Sequence, residues 1–146
     1  MSTTQPFTIV MADDDAGDRL LALEALEEAR VLNPVRCVRD GEELMQYLHS
    51  LQLPQHEIDA PHPGLILLDL NMPRKDGREA LAEIKADPAL RGISVVVMTT
   101  SQAEEDRLQT EALGASGFIT KPVTFEALVQ VMKTLGHYGV QFLPPA

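Results

Sequence analysis

Five short apolar runs, each followed by a stretch of helical periodicity, constrain this chain more than any other feature. The runs are Phe7 to Met11, Val35 to Val38, Leu65 to Leu68, Ile93 to Met98 and Gly117 to Thr120. Amphipathic helical spacing follows near Asp18 to Arg30, Glu42 to Leu51, Arg78 to Ala86, Glu104 to Leu113 and Phe125 to Leu135. The third and fourth runs are nearly continuous aliphatic stretches, as strands covered on both faces require. Alternation of this kind demands parallel strands joined by right-handed crossovers. The predicted fold class is α/β, a doubly wound five-stranded parallel sheet with helices on both faces.

Local signals support those boundaries. Asp40-Gly41-Glu42-Glu43 and Ser101-Gln102-Ala103-Glu104 both have capping-box spacing, and Gly114 and Gly136 stand where left-handed helix caps are wanted. The segment Gln52 to Gly64 contains Pro54, Pro61 and Pro63 with His56 and His62, and reads as a long surface loop. A metal site on those two histidines is disfavoured, because no second ligand pair lies nearby. A length of 146 residues suits a single domain, with residues 139–146 as a C-terminal tail and no separate effector domain expected.

Charge and cysteine content narrow the function classes. With 12 basic against 22 acidic residues the net charge is −10, which would repel a nucleic-acid backbone over most of the surface. The lone Cys37 excludes an internal disulfide and reads as a small core residue. The N-terminal residues show no basic and apolar leader pattern, and no apolar run exceeds the length of a strand. The expectation is a cytoplasmic protein that binds neither membrane nor nucleic acid.

Ligands of open α/β sheets bind outside the carboxyl ends of the strands, so the residues just after each apolar run matter most. Asp13, Asp14 and Asp15 follow the first run, Asp69 the third, Thr99-Thr100-Ser101 closes the fourth and Lys121 follows the fifth. Carboxylates from two strands, a hydroxyl and an ammonium would therefore share one edge. Crowded carboxylates repel, and at least one should hold its proton more tightly unless a cation neutralises the group. All-oxygen ligands with open water positions suit Mg²⁺. An acid beside such an ion can attack phosphorus, giving an aspartyl phosphate, with Lys121 and Thr99 as cation and hydroxyl donor. Each residue also has an ordinary explanation. One of Asp13 to Asp15 is expected to cap the following helix, and a strand-end threonine or a solvated lysine is common. Their coincidence at four strand ends is not explained that way.

The stretches Ile9-Val10-Met11-Ala12-Asp13-Asp14-Asp15, Leu67-Leu68-Asp69-Leu70-Asn71-Met72-Pro73, Val97-Met98-Thr99-Thr100-Ser101 and Gly114-Ala115-Ser116-Gly117-Phe118-Ile119-Thr120-Lys121-Pro122 resemble a CheY-like response-regulator receiver domain over essentially the whole chain. The separations Asp69 to Thr99, 30 residues, and Thr99 to Lys121, 22 residues, agree with that family's pattern. The resemblance implies strand order 2-1-3-4-5, the order known for CheY itself. It implies that Asp69 is the phosphoacceptor, that Asp13, Asp14, Asp69 and the Asn71 backbone carbonyl hold Mg²⁺, and that Lys121 pairs with the phosphoryl group. Thr99 and Phe118 match the family's switch pair, and Asn71 and Ser101 the positions that tune phosphoryl lifetime. The Lys121–Pro122 peptide is expected to be cis. Asp15 departs from the usual residue and would add negative charge near the metal.

Leu68 to Glu79, Glu83 to Pro88 and Thr99 to Asp106 further resemble stand-alone regulators paired with bacterial phytochromes. The implied protein is not an enzyme but a two-component phosphorelay protein that accepts a phosphoryl group from a sensor histidine kinase, a phytochrome being one candidate. Output would then pass through a partner surface or a homodimer, built on the fourth helix, fifth strand, fifth helix and the tail. The tail's other reading is packing against its own chain. A haloacid-dehalogenase-type phosphohydrolase is the enzyme alternative, but it needs a second acid where Asn71 stands. A flavodoxin-like module would need a phosphate cradle where the three aspartates lie. A pseudo-receiver that is never phosphorylated is a further alternative, disfavoured because every site position is filled.

Overall fold

The computed structural model describes residues 6–51, 63–100 and 103–144. The elements follow in the order β1 (Thr8–Ala12), α1 (Ala16–Glu28), β2 (Val35–Val38), α2 (Gly41–Ser50), β3 (Pro63–Leu68), α3 (Gly77–Ala86), β4 (Ser94–Thr99), α4 (Glu104–Ala112), β5 (Gly117–Thr120) and α5 (Phe125–Lys133), the last continuing as a 3₁₀ turn over Thr134–Tyr138. All strand pairs are parallel, in the order β2-β1-β3-β4-β5. The α/β fold expected from the alternation is the fold observed.

Period-two alternation divides the sheet's side chains between two cores. Ile9, Met11, Leu65, Leu67, Val96 and Met98 face one layer, where Ala22, Ala25 and Leu26 of α1 meet Val129 and Met132 of α5. Val10, Ala12, Ile66, Leu68 and Val95 face the other, against Leu44 and Leu48 of α2 and Leu81 and Ile84 of α3. Both faces of β1, β3 and β4 are thus buried, which is why those strands read as unbroken aliphatic runs. Helix α1 departs from a clean amphipathic pattern. Its inner face is built on alanines, while Leu20, Leu21 and Leu23 are exposed.

The helix caps follow the sequence in part. Asp40 caps α2 by accepting the Glu43 N–H, and the Glu43 carboxylate in return accepts the Arg39 N–H. Gly114 takes the left-handed conformation after α4, at φ 103°. Two expectations are corrected. Helix α4 starts at Glu104 with Ala103 in the cap position, so Glu104 is the first helical residue, not the third; Ser101 and Gln102 lie outside the described residues. Gly136 falls inside the 3₁₀ turn, because α5 tightens instead of ending, and Gly139 is the left-handed residue, at φ 90°. The expected loop Gln52 to Gly64 is shorter at its end, since Pro63 and Gly64 already belong to β3; proline is tolerated as a first strand residue. His56, His62 and the rest of 52–62 lie outside the described residues. Cys37, on β2, is half-buried against the α1–α5 core, as read from the sequence.

The tail packs on its own chain. Val31 and Phe142 form an antiparallel bridge, the Leu32 N–H donates to the Gln141 carbonyl at 2.8 Å, and the Leu143 N–H to that of Arg30 at 2.7 Å. Buried Asn33 ties this seam to the sheet, donating to the Phe7 carbonyl at 2.9 Å and accepting from the Gln141 N–H at 2.8 Å. Asn33→Ala would leave both backbone groups without that partner and should cost about 1–3 kcal/mol. Urea unfolding measures the loss, and hydrogen exchange should quicken at Gln141 and Leu143. Unchanged stability and exchange would mean that water replaces the asparagine.

Candidate functional site

The backbone carries the acids to one edge of the sheet. The Asp13 N–H donates to the Val38 carbonyl at 3.1 Å and the Asp69 N–H to that of Ala12 at 3.0 Å, so the ladder extends one residue past each strand. The loop after β3 then turns back sharply, with the Gly77 N–H on the Leu70 carbonyl at 2.9 Å. A Cβ on Gly77 would collide with the Asp69 carbonyl oxygen, so only glycine permits this approach.

Asp13 and Asp69 are buried and Asp14 is exposed, and one carboxylate oxygen from each lies within 4.8 Å of the others. Lys121, immediately after β5, reaches across them. Its Nζ donates to Asp13 Oδ2 at 2.7 Å and to Asp69 Oδ2 at 3.2 Å. The Asn71 N–H donates to Asp69 Oδ1 at 3.2 Å, while the Asn71 side chain is exposed. Thr99, the last residue of β4, is fully buried, and its carbonyl accepts the Lys121 N–H at 2.7 Å. Phe118, half-buried in β5, stands opposite Val97 of β4. Ser101 lies outside the described residues. No peptide bond among the described residues is cis, so the Lys121–Pro122 bond is trans, contrary to expectation; the lysine reaches the acids without that turn.

Two residues were missed. Asp18 accepts a hydrogen bond from Lys121 Nζ at 2.8 Å, and Arg19 donates to the Asp13 carbonyl at 2.7 Å. In the sequence Asp18 reads only as an acid in a helix's first turn. The available signal was position, because a helix that starts directly after Asp13 to Asp15 lays its first turn over the strand end. Asp15 proves to be the cap of α1, its Oδ1 accepting the Asp18 N–H at 2.9 Å. Its carboxylate is therefore bonded to the helix terminus, and it is not part of the cluster with Asp13, Asp14 and Asp69.

Three carboxylates thus share one ammonium, and the exposed Asp14 adds a further negative charge to the cluster. The lysine receives the whole attraction and each acid only a part of it. Burial alone would lower the Lys121 pKa, but the bonds to Asp13 and Asp18 outweigh it and raise the value. For Asp13 the balance is reversed. Burial raises its pKa, and the Lys121 and Asp15 hydrogen bonds oppose this without cancelling it. Neighbouring Asp69 adds a smaller push in the same direction. The raised carboxylate pKa expected from the sequence is found at Asp13, but burial and not like charge is its main cause. Oxygen-only donors, two of them buried and short of positive charge, fit a hard divalent cation such as Mg²⁺.

A raised carboxylate pKa means that ionised Asp13 opposes folding at neutral pH, a penalty that fades as pH falls through the raised value toward 3.8. Asp13→Asn should therefore stabilise the metal-free protein at about pH 7.5, and by less at about pH 4.5. Urea unfolding in the presence of a chelator checks both points. Destabilisation at the higher pH would refute the reading of Asp13.

Comparison with known proteins agrees with this geometry. A family model for the response regulator receiver domain matches residues 9–133. Response regulator Rcp1 of Synechocystis sp. is 36% identical over 136 residues, covering 93% of this chain and 90% of that protein. Among solved structures, the phosphorylated cyanobacterial phytochrome response regulator RcpA superposes with a TM-score of 0.78 at 41% identity, over 91% of this chain and 93% of that one. The Mn²⁺-bound form of Rcp1 gives 0.79 at 36% identity, over 97% and 100% of the two chains. The bacteriophytochrome response regulator AtBRR gives 0.76 at 34%, over 97% and 99%. With the family model matching residues 9–133 and these relatives matched over more than nine-tenths of its length, the chain belongs to the response-regulator receiver domain family of two-component signalling proteins.

Proposed function

We propose that Asp69 accepts a phosphoryl group from the phosphohistidine of a sensor kinase. The observation that carries this is the meeting of Asp13, Asp14 and Asp69 oxygens within 4.8 Å, with Lys121 already bonded to Asp13 and Asp69. The three carboxylates and the Asn71 backbone carbonyl would hold Mg²⁺, which supplies positive charge to the transferring group. The Asp69 carboxylate oxygen attacks phosphorus, the P–N bond to the donor imidazole breaks, and the electron pair stays on that nitrogen. Lys121 then pairs with the new phosphoryl oxygens and draws charge away from the attacking acid. Thr99 and Phe118 form the switch pair, one turning toward the phosphoryl group as the other moves inward. Asn71 and Ser101 set how readily water reaches the phosphoryl group.

The phytochrome regulators among the relatives support a phytochrome-type kinase as the donor. Among the described residues no helix is long and apolar enough to cross a membrane, and the charge of −10 disfavours nucleic acid. The family membership supports a signalling protein in preference to an enzyme, and we place it in the cytoplasm, with transfer from small phosphodonors and slow self-hydrolysis expected of the same site. Incubation with acetyl phosphate and Mg²⁺ should add one phosphoryl group by intact mass. Asp69→Asn or a chelator should abolish the adduct. An adduct that survives Asp69→Asn overturns the assignment, and steady phosphate release from many donors would favour the phosphohydrolase.

Output passes through the face of α4, β5 and α5. Helix α4 supports this, since it buries only Thr110 and exposes Leu108, and β5 is a half-buried edge strand. A homodimer through this face should appear in sedimentation velocity and be weakened by Leu108→Lys. A monomer at all concentrations, phosphorylated or not, would leave a different protein as the partner.

A further inference from the structure

Lys121 Nζ carries three hydrogens, and three carboxylates receive them: Asp13 at 2.7 Å, Asp18 at 2.8 Å and Asp69 at 3.2 Å. Two of those acids belong to the cluster that fits a divalent cation, and Asp18 does not. The Asp13 and Asp69 side chains are each only 8% exposed, whereas that of Asp18 is 42% exposed. Asp18 therefore holds the ammonium from the solvent side. Its own position is set by the helix start, where its N–H donates to the Asp15 cap, and Arg19 ties the same turn to the end of β1.

We propose that Asp18 is a positioning residue that keeps the Lys121 ammonium at the rim of the acidic cluster, leaving Asp13 and Asp69 free to turn their oxygens toward a divalent cation. This rests on the reading of that cluster as a Mg²⁺ site. A cation entering the cluster must displace the ammonium from two carboxylates. With Asp18 present, the ammonium keeps an anionic partner as it withdraws. Without Asp18, Asp13 and Asp69 are its remaining carboxylate partners among the described residues, and it competes with the entering ion for both. The Asp18–Lys121 pair is part-buried, with the lysine side chain 16% exposed. Its effect comes through the competition for Lys121.

A double-mutant cycle read by Mg²⁺ calorimetry tests this. Asp18→Asn should weaken Mg²⁺ binding about three- to tenfold, the scale of coupling within one charge network. In a Lys121→Ala background the same substitution should change the affinity less than about twofold, because no ammonium is left to position. Circular dichroism confirms that each variant is folded. An equal weakening in both backgrounds would overturn the proposal, since it would mean that Asp18 acts only through its negative field. Wild-type affinity in Asp18→Asn would overturn it as well, while leaving the Mg²⁺ site intact. No Mg²⁺ uptake by the wild type at millimolar concentration would remove the site itself, and the proposal with it.

Discussion

One ammonium serves three carboxylates at the carboxyl edge of this sheet, with Asp14 beside them, and the surrounding structure is arranged around that shortage of positive charge. The strands place Asp13 and Asp69 side by side in a buried position, where each charge is costly without a partner. Lys121 relieves the cost in part, and the pKa of Asp13 remains raised by its burial. The negative charge on Asp13 is therefore incompletely compensated, and a divalent cation would add the positive charge it lacks.

Rigid backbone makes the arrangement possible. The acids continue the hydrogen-bond ladders of β1 and β3, Gly77 closes the loop against the Asp69 carbonyl, and Lys121 is anchored by its own N–H on Thr99. The two cores above and below the sheet hold β1, β3 and β4 so that their ends cannot separate. A new negative group on Asp69 would therefore be answered by side chains and by the less buried β5 and α4, which have less packing to lose.

The tail shows how one sequence feature can support two readings. Its apolar residues Val140, Phe142 and Leu143 suggested either self-packing or a dimer contact. Val140 is buried and Phe142 joins the α1–α5 core, held by a seam through Asn33, while Leu143 stays half outside. Self-packing accounts for most of the apolar surface. Nothing near residues 139–146 signalled Asn33, because its partners are far along the chain.

The sequence alone determined the fold class, because the period of apolar residues dictates which backbone geometry can bury them. It also singled out Asp13, Asp14, Asp69, Thr99 and Lys121, because strand ends can be read from where apolar runs stop. Tertiary structure decided what distance in space controls. It made Asp15 a helix cap, brought Asp18 to the ammonium, kept the Lys121–Pro122 bond trans and seated the tail beside Arg30 to Asn33. Local periodicity records which face of an element is buried, but it carries no information on which side chains from distant elements will compete for the same charge.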